Sequence, residues 1–135
     1  MSYTKPNRIK YTFPSLDWGN SVSERFGVLG PKGKTGRLHD YGLEGITETV
    51  SGAVTAAIGT AADPDAYGEE FSFDAAADLT SKSVRSTYDS AEDKTAFDAV
   101  MVNRNLPADT AVILTMTGVA GAGIGTPFMI IDWAD

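Results

Sequence analysis

The sequence predicts an all-β fold, a single antiparallel β-sandwich of jelly-roll-like type with about eight strands. Short runs of alternating or β-branched apolar residues recur along the chain. Turn-forming residues separate these runs, since 14 Gly and 6 Pro occur among the 135 residues. An apolar pattern of helical period is almost absent. The length suits one hydrophobic core, so we treat residues 1–135 as a single domain.

The first predicted strand is Arg8–Phe13, in which apolar and polar residues alternate. Pro6 and Pro14 bracket it, and proline is found mainly at sheet edges because it has no backbone N–H group. Residues 1–21 are therefore predicted to form an extended N-terminal arm or an edge strand. Such an arm can add a strand to the exposed sheet edge of a neighbouring molecule.

The central stretch, Arg37–Thr49, is predicted to be a long strand that is bulged or switches sheets. Neither of its alternating faces is cleanly apolar, and Gly42 and Gly45 would interrupt a flat strand. A tightly turning loop rich in Gly and Pro, residues 30–36, comes directly before it and carries basic side chains.

The remaining elements are predicted from apolar runs between turn signals. Further strands are expected at Val22–Leu29, Gly52–Gly59, Glu69–Asp74, Ala99–Asn103, Thr110–Gly118 and Phe128–Trp133, while Ser83–Tyr88 is compatible with a strand. Turns or loops are expected at Leu16–Ser21, Ala61–Gly68 and Gly118–Pro127. Ser90 followed by Asp93 is typical of a helix N-terminus, which predicts one helical turn before Phe97. The residues expected in the core are Ile46, Val54, Ile58, Phe71, Phe73, Val100, Val112, Leu114 and Ile130.

Charge is distributed unevenly along the chain. Residues 1–37 hold seven Lys or Arg against two Asp or Glu, a net charge of +5, and residues 38–135 hold four against sixteen, a net charge of −12. The acidic body argues against nucleic-acid binding, which needs clustered cations. The basic segment suits docking to an acidic partner or to another copy. The candidate partner-binding residues are Arg8, Lys10, Lys32, Lys34 and Arg37.

The tripeptide Gly33-Lys34-Thr35 matches the end of a phosphate-binding loop, in which backbone N–H groups cradle nucleotide phosphates. The spacing does not fit, because Val28 occupies the position of the first glycine. The context does not fit either, because no helical pattern follows. We predict a basic hairpin turn that does not bind nucleotides.

Four residues have the spacing of a calcium-binding loop: Asp63, Asp65, Gly68 and Asp74. Tyr67 stands at a further ligand position, where it is a poor ligand, and strands rather than helices are predicted on both sides. A turn between two strands is therefore favoured over a metal site.

The single histidine, His39, lies beside Asp40 and near Glu44, an arrangement compatible with half of an acid–base pair. The chain has no second His, no Cys and no Ser in a nucleophile motif, which excludes most triad and metal-hydrolase designs. A histidine on a sheet face is favoured. We predict no enzymatic activity, no catalytic residue, no metal and no cofactor.

Four aromatic residues lie at or near predicted turns: Trp18, Tyr41, Tyr67 and Tyr88. Aromatic side chains at such positions can stack on sugars, but they more often cover the open ends of a sandwich core. The N-terminus lacks the apolar core of a signal peptide, and no apolar run is long enough to span a membrane. Together with the absence of Cys, this predicts synthesis in the cytoplasm and no membrane association.

Several short motifs follow one another in a recognisable layout: the GPKGKTGRL loop, the GTAADPDAYGE turn, the LPADTAVILTMTG strand, and a Gly-rich loop leading into MIIDW. Over roughly Arg8–Trp133, this layout resembles that of capsid decoration, or cement, proteins of β-sandwich type from tailed bacteriophages. The resemblance implies a virion protein that binds the outer surface of the assembled shell. It also implies the major capsid protein as partner and a homo-oligomer, more often a trimer than a dimer. It carries over no catalytic residue.

A second function from another class stays open at this point. A β-sandwich of a phage tail or fibre can bind a carbohydrate or a receptor, provided that it exposes an aromatic platform. The exposure of the four turn aromatic residues distinguishes the two functions.

Overall fold

The computed structural model describes residues 7–18, 22–51, 54–73, 81–118 and 122–134. Within these ranges the chain forms ten strands and three short helical segments. The strands are β1 (Asn7–Thr12), β2 (Leu16–Asp17), β3 (Val22–Val28), β4 (Thr35–Ser51), β5 (Val54–Gly59), β6 (Gly68–Ser72), β7 (Lys82–Ser83), β8 (Asn105–Leu106), β9 (Val112–Gly118) and β10 (Ala122–Ala134). The helical segments are α1 (Val84–Thr87), the 3-10 turn Ala91–Asp93 and α2 (Lys94–Val100).

The strands form two antiparallel sheets, which confirms the predicted all-β sandwich. The six-stranded sheet has the order β1-β10-β4-β7, with β2 paired to β10 and β8 paired to β4. The four-stranded sheet has the order β3-β9-β5-β6. Strand β10 is central to the larger sheet, where Trp133 lies opposite both Asn7 of β1 and Gly36 of β4.

The core lies between the two sheets. Six of the nine residues predicted there are buried: Val54, Ile58, Phe71, Phe73, Val112 and Leu114. Ile46, Val100 and Ile130 are only half-buried. In β10 the alternation directs Met129 and Ile131 inward, so that Ile130 faces outward. An apolar run without polar residues does not reveal which alternate positions point into the core.

The predicted bulging of the central strand is confirmed. The register between β4 and β10 shifts near both ends of their pairing. One shift surrounds Gly45, which has a φ of 56°, a left-handed conformation that favours glycine. Another leaves His39 without a partner, because Leu38 pairs with Ile131 and Asp40 pairs with Ile130.

Two strand predictions are wrong in the segment that joins β7 to β8. The possible strand at Ser83–Tyr88 is mostly helix α1, and the predicted strand Ala99–Asn103 begins inside helix α2. Helix α2 has no fully buried residue, so its sequence carries no strong apolar period. The helical turn expected before Phe97 is present, but it extends to Val100.

The predicted loop Gly118–Pro127 is also wrong over most of its described length. Residues from Ala122 onward belong to β10, because the glycines there pack closely against neighbouring strands. A Cβ atom at Gly123 would lie 2.8 Å from the Cα of Val50. Residues 119–121 lie outside the described ranges.

The described part of the predicted N-terminal arm lies in the chain's own sheet. Strand β1 forms the edge of the six-stranded sheet, and Leu16–Asp17, predicted as a turn, forms β2 beside it. Phe13 stacks on Phe26 of β3 with ring centroids 4.8 Å apart, which links the two sheets on this side. The arm's contact with a neighbouring molecule stays a prediction, and residues 1–6 and 19–21 lie outside the described ranges.

Candidate functional site: the basic loop and the bulge of strand β4

The basic loop, residues 30–36, is held against the indole ring of Trp133. A Cβ atom at Gly30 would lie 2.4 Å from this ring, and one at Gly36 would lie 2.7 Å from it, so both positions need the missing side chain. Trp133 is itself 1 % exposed and donates its Nε1–H to the Tyr11 hydroxyl oxygen at 2.9 Å. The loop is therefore fixed to the sheet through a buried aromatic side chain.

The tip of the basic loop is a hydrogen-bonded turn, but the predicted hairpin is wrong, because β3 and β4, which the loop joins, belong to different sheets. The backbone N–H of Lys34 donates to the Pro31 carbonyl at 3.1 Å. Gly33 has a φ of 76°, and its N–H donates to a carboxylate oxygen of Asp109 at 2.9 Å. Lys32 is exposed at this tip and Lys34 is half-buried. These contacts hold the backbone of Lys32 on a stiff turn.

Arg8 and Arg37 lie on either side of Asp132 across three strands of the outer sheet face. Asp132 is opposite Arg8 in β1 and opposite Arg37 in β4. Arg8 donates its Nε and Nη2 hydrogens to the two carboxylate oxygens at 2.7 and 2.9 Å. This bidentate pairing lowers the pKa of Asp132 and raises that of Arg8. Arg37 is exposed and makes no ion pair with any residue that the structure describes.

Lys10 follows Arg8 on the same face and is also paired within the chain. Its ammonium group contacts the Glu44 carboxylate and lies 5.0 Å from the ring centroid of Phe128. The sheet thus brings Arg8, Lys10 and Arg37 to one face, while Lys32 and Lys34 lie on the loop that leads into it. Arg8 and Lys10 are exposed but already have acidic partners, whereas Lys32 and Arg37 are exposed and form no ion pair with any described residue. Contact of any of the five with a partner stays a prediction.

A cationic cluster, formed by Arg85 and Arg104, lies at the bulge around His39. Helix α1 and the segment before β8 each provide one arginine whose guanidinium group binds a backbone carbonyl of β4. These carbonyls lie in the part of β4 between the residues that pair with β7 and those that pair with β8. Arg85 donates its Nε–H to the His39 carbonyl, and Arg104 donates its Nε–H to the Leu38 carbonyl at 2.8 Å. These contacts satisfy acceptors that the bulged strand would otherwise leave without a partner.

Phe97 of α2 supports both guanidinium groups. The Cζ atoms of Arg85 and Arg104 lie 5.0 and 5.7 Å from its ring centroid. Partial burial lowers the pKa of Arg104, and the positive charges of Arg37 and Arg85 lower it further. Arg37 and Arg85 are therefore each close enough to Arg104 to repel its charge.

The side chain of His39 lies on the Arg8 side of the bulge. Its Nδ1 atom is 3.1 Å from the Nη2 of Arg8 and 4.0 Å from a carboxylate oxygen of Asp132. Because Arg8 is a donor, His39 Nδ1 acts as acceptor in the neutral ring. Desolvation lowers the pKa of His39, and the positive charges of Arg85 and Arg8 lower it further. These effects favour the neutral form of the ring.

Asp40 has a structural role in this cluster. Its carboxylate is 7 % exposed and accepts hydrogen bonds from the backbone N–H groups of Tyr41 and Arg85 at 2.9 and 3.0 Å. It therefore joins β4 to the start of α1. The sequence pairs His39 with Asp40 and Glu44, but the structure uses each of these carboxylates elsewhere, and His39 makes no hydrogen bond to either of them.

Arg85, Phe97 and Arg104 were missed by the sequence analysis. Arg85 was placed in a possible strand, and Arg104 directly follows the predicted strand that is helix α2 in the structure. They meet only because two helices return the chain to β4, so no local sequence signal could identify them.

The acidic turn between β5 and β6 is a structural turn. The Asp63 carbonyl accepts hydrogen bonds from the N–H groups of Thr60 and Ala66 at 2.8 and 3.2 Å. Hydrogen bonding to the Asp65 side chain raises the pKa values of Asp63 and Glu69. Asp74, the last predicted ligand position, lies outside the described ranges. Among the described residues, no group of three or more His, Asp or Glu side chains could hold a metal ion.

The turn aromatic residues cover the core. Trp18 and Tyr41 are fully buried, Tyr67 is 6 % exposed and Tyr88 is half-buried. The Tyr41 hydroxyl donates to the Glu69 carbonyl at 2.6 Å. Burial raises its pKa, so the phenol stays protonated. These four side chains therefore do not form a flat, exposed platform.

The basic loop leads into a strand rather than a helix, since Thr35 begins β4. The arrangement that a nucleotide-binding loop requires is therefore not formed there. None of the described helices is long and apolar enough to cross a membrane. No known protein family matches the chain, and no curated protein or solved structure shows significant similarity to it.

Proposed function

We propose that this protein is a structural component of a virus particle that decorates the outer surface of a tailed-phage capsid. The observation that carries the proposal is the stiff basic loop on a β-sandwich whose remaining sequence is strongly acidic. Trp133 and Asp109 hold the loop, so Lys32 is held in place on the turn before a partner arrives. The resemblance of the motif layout to decoration proteins agrees with this function.

Docking would be electrostatic and multivalent. Exposed ion pairs each contribute only about 0.2–1 kcal/mol and are screened over roughly 10 Å at moderate salt. A single cation of the loop would therefore bind weakly. A protein that contacts neighbouring shell subunits adds such contacts through effective concentration, and so clamps subunits that already touch.

The composition of the described surface agrees with polar docking. Leu29 and Val102 are the large hydrophobic side chains that the described part of the chain exposes most, at 65 % and 48 %. Two scattered apolar side chains do not form an extended hydrophobic patch. Attachment through charged and polar groups is therefore the favoured mode, with the major capsid protein as the acidic partner.

The carbohydrate-binding alternative loses its main support. It required aromatic side chains exposed at turns, and three of the four candidates are buried in the core. The burial of these side chains therefore does not favour carbohydrate binding as a second function.

The test is a triple substitution, Lys32→Ala with Lys34→Ala and Arg37→Ala, added to phage capsids that lack this protein. We expect reduced occupancy on the shell and a weaker dependence of occupancy on salt, because three cations have been removed. The matched control removes three cations outside the basic loop: Arg25→Ala, Lys82→Ala and Lys94→Ala.

The two triple variants distinguish a local from a general charge effect. Equal loss of occupancy in both would mean that overall charge, not the loop, governs binding. Unchanged occupancy of the loop variant, with its fold intact, would reject the loop as the docking surface. Finding no copy of the protein in gradient-purified virions would reject the proposed function itself.

A further inference from the structure

The cationic cluster at the β4 bulge, formed by Arg85 and Arg104, has N–H groups that are not hydrogen-bonded to any described residue. Arg85 and Arg104 each donate Nε–H to a backbone carbonyl, which fixes the plane and direction of the guanidinium group. Their terminal amino groups have no hydrogen-bond partner among the described residues. Both side chains are half-buried, so these donors remain accessible from solvent.

The charge of this cluster is not neutralised locally. Neither Arg85, Arg104 nor Arg37 forms an ion pair within the described part of the chain. The carboxylates whose charges act on Arg104 are already engaged, since Asp132 pairs with Arg8 and Asp98 pairs with Lys94 at 2.7 Å. The Asp40 carboxylate, next to Arg85, accepts two backbone N–H groups. Partly desolvated like charges oppose one another, and an anion bound between them would relieve this repulsion.

We propose that Arg85 and Arg104 form a binding site for a dianionic oxyanion of the phosphate type, with Arg37 at its rim. A guanidinium group whose Nε is occupied still presents its two terminal amino groups side by side. This fork matches two oxygens of a phosphate group. Phe97 and the two β4 carbonyls hold both forks in place, so little side-chain entropy is lost on binding.

Phosphate fits this site better than a single carboxylate. Two forks can engage different oxygens of one phosphate group, whereas a carboxylate offers only two oxygens. A dianion also neutralises two guanidinium charges, while a carboxylate leaves one in excess. The site does not depend on the proposed capsid function, and it can be tested on the isolated protein.

The experiment is a titration of the isotope-labelled protein with inorganic phosphate at neutral pH and constant ionic strength, followed by nuclear magnetic resonance. The Nε–H signals of Arg85 and Arg104 are protected by their hydrogen bonds, which makes them direct reporters of the site. We expect a saturable change in both signals. R104Q should weaken binding about tenfold, because a charge-assisted hydrogen bond is lost. R25Q, a control arginine on β3, should leave binding unchanged.

A parallel titration with glycerol phosphate distinguishes free phosphate from a phosphate ester. Binding of either ion at these two signals supports the site. Tighter binding of glutarate than of phosphate would overturn the proposed ligand class. If R104Q fails to fold, the wild-type titration decides: changes that do not saturate, or that map away from Arg85 and Arg104, reject the site.

Discussion

At the scale of single residues, Gly42 is where β4 passes close to the backbone of β7. A Cβ atom there would lie 2.3 Å from the Lys82 carbonyl oxygen and 2.6 Å from the Ser83 Cα. Both are backbone atoms, so no side-chain rotation can relieve the clash. We expect G42A to lower the free energy of unfolding by about 1–3 kcal/mol, measured by urea denaturation.

Gly27 provides the matched control for this prediction. It also lies in a strand, but the atom nearest to an added Cβ would be the Ile113 Cγ1 at 4.0 Å. G27A should change stability by less than about 0.5 kcal/mol. Equal effects in the two variants would show that the contact with β7 is not the cause.

His39 makes stability depend on pH. Its pKa is lowered in the folded protein, so the unfolded chain binds a proton more readily. The stabilisation is fully present above the unfolded pKa, about 6.5, and is lost as pH falls through the lower folded pKa. The groups that face it are Arg8, Asp132, Arg85 and Asp40.

The test is H39Q, because Gln is neutral and its Oε1 can accept the hydrogen bond from Arg8. Urea denaturation of both proteins at mildly alkaline and mildly acidic pH gives the difference in unfolding free energy. We expect the wild type to lose more stability than H39Q on acidification. Parallel pH profiles would contradict the lowered pKa.

The residues of the core could be predicted from β-branched and aromatic runs, but not in every case. Val54, Val112 and Leu114 lie in runs whose alternation or flanking turns reveal their direction. Trp18 and Tyr41 were expected only to cover the ends of the core, because their sequence neighbours are turn-forming residues, and both are fully buried. Their burial depends on strands distant in sequence.

At the scale of the secondary-structure elements, helix α1 begins with a reciprocal capping arrangement. The Ser83 hydroxyl accepts from the Ser86 N–H at 3.1 Å, and the Ser83 N–H donates to the Ser86 hydroxyl at 2.8 Å. We expect S83A to lower the free energy of unfolding by about 1 kcal/mol, measured by thermal and urea denaturation.

Ser90 is the control for the cap. It precedes the 3-10 turn but makes no side-chain hydrogen bond to the backbone there. S90A should therefore lie within about 0.5 kcal/mol of the wild type. A loss in S90A as large as that in S83A would rule out the capping bonds as the origin of the effect.

The strands were easier to predict than the helices. Strand β9 has a continuous apolar run and β5 a run of small and β-branched residues, and turn signals flank both. Helices α1 and α2 bury little, so their sequences lack the period that identifies a helix. The same difference applies to the candidate site. The basic loop is local in sequence, so the sequence predicts it. The Arg85 and Arg104 pair depends on the position of these helices, so the sequence does not predict it.

At the scale of the whole molecule, the uneven charge favours association between copies. Part of the N-terminal positive charge is matched within the chain, since Arg8 pairs with Asp132 and Lys10 with Glu44. In the homotrimer that the resemblance implies, we expect the net positive N-terminal segment of one copy to lie near the net negative surface of the next. We expect light scattering to show trimers at low salt that dissociate as salt rises.

The same measurement on capsid-bound protein is the control, because trimers that form only on the shell would be monomers in solution. Monomers in both settings would contradict the proposed assembly. A trimer insensitive to salt would instead indicate an interface that does not depend on the exposed charges.

The central position of β10 has a consequence for how the chain folds. Its partners β1, β2 and β4 all precede it in sequence, and the pairing of Asn7 with Trp133 joins residues far apart along the chain. The larger sheet therefore cannot form until β10 has left the ribosome. Before then, the backbone groups of β1 and β4 that pair with β10 have no strand to bond to. Such non-local pairing slows refolding, to roughly milliseconds to seconds for sheet proteins of this kind. A newly made chain therefore passes through a state in which the strands before β10 have been synthesised but the two-sheet sandwich has not formed.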